Sequence, residues 1–199
     1  MALIDLVRHG ETEQGGLLLG RTDGALSQAG WLQFERQTAN RTWSSVVSSP
    51  LRRSREPAEK LARRLNVPMR IDSDWAEVDF GDWDGRPLAE LRADPAIAAQ
   101  LDALYRSPDA AAAPRGESWQ ALLGRVADAL DRLSDAPASE TALVVTHGGP
   151  IRAALALACA IPFEQLWTFK IGYGTRVRLR VEKENERRRW GEIIEIVQP

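Results

Sequence analysis

Histidine, cysteine and lysine are almost missing from this chain. Its 199 residues hold two histidines and one cysteine, and only three of its 26 basic residues are lysine (Lys60, Lys170 and Lys183). A single cysteine, Cys159, excludes an internal disulfide, and its place in the apolar stretch 153–161 reads as an inert buried thiol. The preference for arginine reads as codon-composition bias rather than chemistry. Strong charge is also missing. A net charge of −2 gives no reason to expect nucleic acid or a membrane surface as a partner. No stretch approaches the ~18 apolar residues of a spanning helix. The N-terminus is strand-like at once, with no charged n-region or long h-region, so a cytoplasmic protein is expected.

What is present is ample core material, 44% hydrophobic with seven tryptophans. This length predicts one domain over 1–199, with a lid or insertion at about 84–116. Strand-like runs fall at 2–7, 44–48, 68–72, 142–146, 167–171, 176–181 and 192–197. Helical patterns cover 28–40, 51–65, 117–133 and 150–159, with one or two short helices in 87–105 broken at Pro95. The polar run 182–189 reads as a hairpin loop whose arginines are solvated. This order predicts a three-layer α/β/α sandwich around a mostly parallel central sheet.

Both histidines fall at strand ends, where open α/β sheets bind ligands. The first run ends in Leu6-Val7-Arg8-His9-Gly10-Glu11-Thr12, and the other in Val144-Val145-Thr146-His147-Gly148-Gly149-Pro150. The ordinary alternative for each is a hydrogen-bonded structural histidine. Against it, Arg8 beside His9 offers a fork of donors suited to phosphate, and neutral imidazole is a competent nucleophile at pH 7. Gly10 is expected to leave room for a substrate. After His147, free N–H groups at a helix start, Gly148 among them, suit an anion. The spacing is poor for zinc, so no metal and no cofactor are expected.

Those blocks resemble the signature of the histidine phosphatase superfamily, in its phosphoglycerate mutase-like branch. Two further stretches are similar to its other blocks: Ser48-Ser49-Pro50-Leu51-Arg52-Arg53, and Glu77-Val78-Asp79-Phe80-Gly81-Asp82-Trp83. The resemblance covers most of the chain. It implies a phosphomonoesterase in which His9 is the nucleophile, Arg8, Arg53 and His147 hold the phosphoryl oxygens, and Glu77 is the acid. Glu77 is expected in a pocket walled by Trp75, Phe80 or Trp83, which would favour its protonated form. Asp79 and Asp82 read as structural. Where the family commonly has a phosphate-holding Asn this chain has Gly15, and Arg21 is the candidate replacement donor.

Mutases of the branch have a longer interval where this chain runs from Glu77 to His147, so the resemblance favours a phosphatase acting on a small-molecule ester. Within it, the blocks look most like alpha-ribazole phosphatases of cobalamin nucleotide-loop assembly, with Trp83 or Trp119 available to stack on the base. The alternatives are a broad-specificity sugar or nucleotide phosphatase, a phosphoglycerate mutase and an inactive phosphate-ester-binding module. Oligomeric state is left open.

Overall fold

The apolar run at the N-terminus forms β1 (Ala2–Arg8), whose side chains alternate between two buried layers. Ile4 and Leu6 enter one core, and Val7 enters the other with Phe34, Trp43 and Val46. A strand covered on both faces reads as a continuous apolar run, which is why its alternation is hidden in the sequence. The computed structural model describes residues 1–134, 140–185 and 188–199.

Five more strands complete one sheet: β2 (Ser45–Ser48), β3 (Met69–Ile71), β4 (Thr141–Thr146), β5 (Arg176–Asn185) and β6 (Arg188–Val197). Their order is β3-β2-β4-β1-β5-β6. The first four are mutually parallel, while β5 runs antiparallel to β1 and β6 to β5. Arg8 is level with Thr146 and Ser48 with Val145, so β1, β4 and β2 end at one edge. The next residues along each chain are His9, His147 and Ser49.

Helices cover both faces. On one lie α1 (Gln28–Thr38), capped by Ser27 Oγ accepting from Gly30 N–H at 3.1 Å, and α2 (Arg52–Leu65). On the other lie α5 (Trp119–Ser134), packed through Leu122, Val126 and Leu130, and α6 (Gly148–Cys159), packed through Ile151 and Leu155. This is the expected sandwich. Between β3 and α5, α3 (Leu88–Ala93) and α4 (Pro95–Leu104) meet at Asp94, which caps α4 from just before Pro95. They bury Leu91 and Leu101 in a small separate cluster with Leu18, Trp83 and Ala113. Among the described residues no helix is long and apolar enough to cross a membrane.

Two stretches differ from expectation. Residues 167–171 are not a strand: Phe163–Thr168 is a 3-10 turn entered through Pro162. There Trp167 packs edge-on against Phe163 and Tyr105 instead of joining a pleat. The polar run 182–189 is largely strand, because β5 continues to Asn185 and β6 begins at Arg188. Its tip at 186–187 lies outside the described residues. Lys183 and Arg189 face α5, where Asp131 accepts from both at 2.8 Å, so their charge is spent on packing.

Candidate active site

His9 N–H donates to Thr146 C=O at 2.9 Å, which continues the β1–β4 ladder one residue past the strand. Its Nδ1 lies 2.7 Å from Gly10 C=O. A carbonyl only accepts, so Nδ1 carries the proton and Nε2 keeps its lone pair. Arg53 Nε donates toward that Nε2 at 3.3 Å and toward His147 Nδ1 at 3.3 Å. The two imidazole centroids are 5.0 Å apart. Burial first, then the Arg53 and Arg8 cations, hold His9 well below the ordinary value near 6.5. Burial, Arg53, His9 and Arg8 do the same to His147. Both rings are therefore neutral at pH 7.

Arg53 is completely buried, and backbone carbonyls orient it: Nη1 donates to Thr22 C=O and Nη2 to Gly20 C=O, each at 2.7 Å. That loop is itself held, because the Asp84 carboxylate accepts from the N–H groups of Gly20, Arg21 and Thr22 at 2.9, 2.6 and 2.9 Å. His147 Nε2 lies 2.7 Å from Ser49 Oγ. Glu77 Oε1 accepts from Val78 N–H at 2.9 Å and Gly149 N–H at 3.1 Å, and Oε2 makes no hydrogen bond among the described residues. A Cβ at Gly149 would sit 2.5 Å from Oε1, so only glycine admits the carboxylate there.

Arg8, His9, Glu77 and Gly148 line a cavity of about 350 Å³, with Arg53 and His147 enclosed behind His9. Tyr105, Trp119, Phe163, Trp167 and Tyr173 make its aromatic wall. Arg21 and Gly15 line no part of it. Arg21 is tied through its N–H to Asp84, and Gly15 is exposed, with open space where a side chain would begin. Trp75 and Trp83 do not wall Glu77 either; both are sealed in hydrophobic clusters, leaving Phe80 as the expected neighbour that does line the cavity. Gly10 makes no room for a substrate. A Cβ on it would lie 2.0 Å from Gly30 C=O, so it serves the close approach of α1.

A sequence profile described as histidine phosphatase superfamily (branch 1) matches residues 4–192. The chain belongs to this superfamily. A bifunctional protein of Mycobacterium tuberculosis is 36% identical over 160 residues, which is 77% of this chain but 43% of that one. The chain thus spans under half the length of those mycobacterial relatives. The adenosylcobalamin/alpha-ribazole phosphatase of Salmonella typhimurium is 30% identical over 175 residues, 85% of each chain. Among solved structures, mycobacterial glucosyl-3-phosphoglycerate phosphatase superposes with TM-score 0.82 at 26% identity, covering 98% of both chains.

Four residues of this candidate site escape a sequence reading. Ser49 was hidden within its block, although its place directly after β2 was a signal. Asp84 acts through backbone N–H groups, which no residue pattern reveals. Tyr173 lies under Arg8, with Cζ 4.3 Å from the ring centre, and the flanking Gly172 and Gly174 were its only signal. Arg152, inside the helix that follows His147, carried no signal of its own, yet it lines the cavity.

Proposed function

We propose that the chain is a metal-independent phosphomonoesterase working through a phosphohistidine on His9. The observation that carries this reading is the locked tautomer: Nδ1–H is spent on Gly10 C=O, and Nε2 is left unprotonated beside the Arg53 guanidinium. His9 Nε2 attacks phosphorus, the ester P–O bond breaks, and the leaving oxygen takes its proton from Glu77. Glu77 then takes a proton from water, which attacks phosphorus. The P–N bond breaks and inorganic phosphate leaves. Arg8, Arg53 and the Gly148 end of α6 spread charge on the equatorial oxygens, which is the main catalytic resource for this transfer. His147 joins them in the tautomer with its proton on Nδ1, in which Arg53 Nε turns from that nitrogen to the phosphoryl group and the Ser49 hydroxyl donates to Nε2. Arg21 has no phosphate contact in this scheme.

At the level of substrate we propose alpha-ribazole 5′-phosphate, which the Salmonella relative and the aromatic wall support. A carboxylate-bearing sugar phosphate, as named for the mycobacterial structure, is the second reading, and Arg152 favours it. In this reading residues 84–116 form a lid on a single domain, bringing Tyr105 against Trp167 with ring centroids 5.0 Å apart. The test is hydrolysis of p-nitrophenyl phosphate with and without EDTA, plus acid and alkaline quenching of a turnover with radiolabelled ester. Expected are release that survives chelation, an acid-labile and base-stable label on the protein, and loss of about 10⁴-fold or more in His9→Ala. A binding module gives no release, and an unlabelled protein during steady turnover sinks the covalent step.

A further inference from the structure

Arg152 is the cation of this site that the chemistry above leaves unused. One turn into α6, its Nη1 donates to Gly148 C=O at 3.2 Å, and its plane lies over Trp167, with Cζ 4.3 Å from the ring centre. No other hydrogen bond and no ion pair engages it among the described residues, with Glu77 acting on it only through space, and its Nε is sealed from water without a partner. Burial, then the neighbouring Arg8, pull its pKa down to about 10 against the opposing charge of Glu77. A half-buried guanidinium with most of its fork unpaired is costly unless something completes it.

Its position says what does. A Cβ on Gly148 would stand 3.3 Å from Arg152 Nη1 and 3.7 Å from Arg8 Cζ, so the two guanidiniums flank one glycine. Arg8 packs on Tyr173 beside His9, whereas Arg152 packs on Trp167, which is 37% exposed at the rim with Tyr105. Arg8 therefore lies on the His9 side of the cavity, and Arg152 lies toward its rim.

We infer that Arg152 is a specificity-determining residue that donates to an acceptor oxygen on the sugar portion of the leaving alcohol, while the aromatic wall covers its flat part. This rests on the phosphatase reading and deepens it. Two sources supply such an oxygen, a sugar hydroxyl or a carboxylate, and a planar fork serves both.

The experiment compares wild type, Arg152→Met and Arg152→Lys on three esters: phenyl phosphate, which has a ring but no second acceptor, alpha-ribazole 5′-phosphate, and glucosyl-3-phosphoglycerate. The expected result is a fall of about 10- to 100-fold in the ratio of kcat/KM for an acceptor-bearing ester to that for phenyl phosphate. If hydroxyls are read, both acceptor-bearing esters fall. If a carboxylate is read, only the glycerate ester falls, and Lys restores part of the loss. An equal loss on all three esters makes Arg152 a holder of the transferred phosphate and overturns the inference, as does no loss on any. Calorimetric binding of the same esters to His9→Ala, with and without Arg152→Met, repeats the comparison without turnover. Absence of hydrolysis by wild type then counts against the phosphatase reading alone.

Discussion

Two groups of arginines flank β1, and they differ in what neutralises them. Toward α1, Arg178 grips the buried Asp5 carboxylate at 2.8 and 2.7 Å, and Arg176 reaches it at 3.1 Å and Glu195 at 2.5 Å. Trp43 Nε1 adds a fourth bond to Asp5 at 2.7 Å. Burial pushes the Asp5 carboxyl up, but the Arg178 and Trp43 hydrogen bonds and the two cations bring it below its usual value. At the C-terminal end of the strand, Arg8 and Arg152 meet no carboxylate among the described residues, and Arg53 is tied only to neutral carbonyls and imidazoles. The same side chain thus closes one cluster and leaves the other open. The first group is paired inside the fold, whereas the cations proposed to hold a ligand have no ion-pair partner among the described residues and feel Glu77 only through space.

That contrast can be broken from either side. The largest effect is expected at Asp5→Ala, which takes the carboxylate from Arg178, leaves the buried Arg176 with Glu195 alone and should cost about 3–5 kcal/mol in urea unfolding, while replacing Asp5, Arg176 and Arg178 together with apolar residues costs less. A loss under 1 kcal/mol would mean the cluster is not what holds the sheet there. Next, Arg53→Ala should lower kcat/KM by about 10²- to 10³-fold, with little recovery in Arg53→Lys, whose single ammonium cannot hold the loop carbonyls and the two rings together.

The pH response is smaller. Both imidazoles titrate lower in the folded protein than the ~6.5 of the unfolded chain, so stability is full above that value and declines as pH falls below it. Each contributes a slope of up to about 1.4 kcal/mol per pH unit there. His147→Asn should halve the slope between pH 6.5 and 5.5, and an unchanged slope would show that the rings are not the titrating groups. Smallest is the stability change in Arg152→Met. Removing an unpaired, partly buried cation should leave stability unchanged or raise it by up to about 1 kcal/mol, even as turnover of sugar esters falls. Strong destabilisation in thermal melts would place Arg152 with the structural group.

Much of this architecture was readable before folding. The two strand-end histidines, the parallel core strands and the break at Pro95 follow from local rules, since strand length and proline geometry act within a few residues. The turn over Phe163–Thr168 was not readable, because Trp167 answers to Phe163 and Tyr105, and Tyr105 lies far away in the chain. Glycines misled for a related reason: Gly10 faces Gly30 rather than a ligand, and only the docking of α1 reveals it.

The sequence by itself determined the chemistry available: two neutral-range rings, arginines after strand ends, a carboxylate and glycines that let backbones close on them. Only the tertiary structure decided which arginines are spent and which remain open, because a guanidinium's availability depends on the oxygens that several distant segments bring within 3 Å of it. Nothing local separates Arg152 from Arg178; the sheet gives one a carboxylate and the other the rim of a cavity.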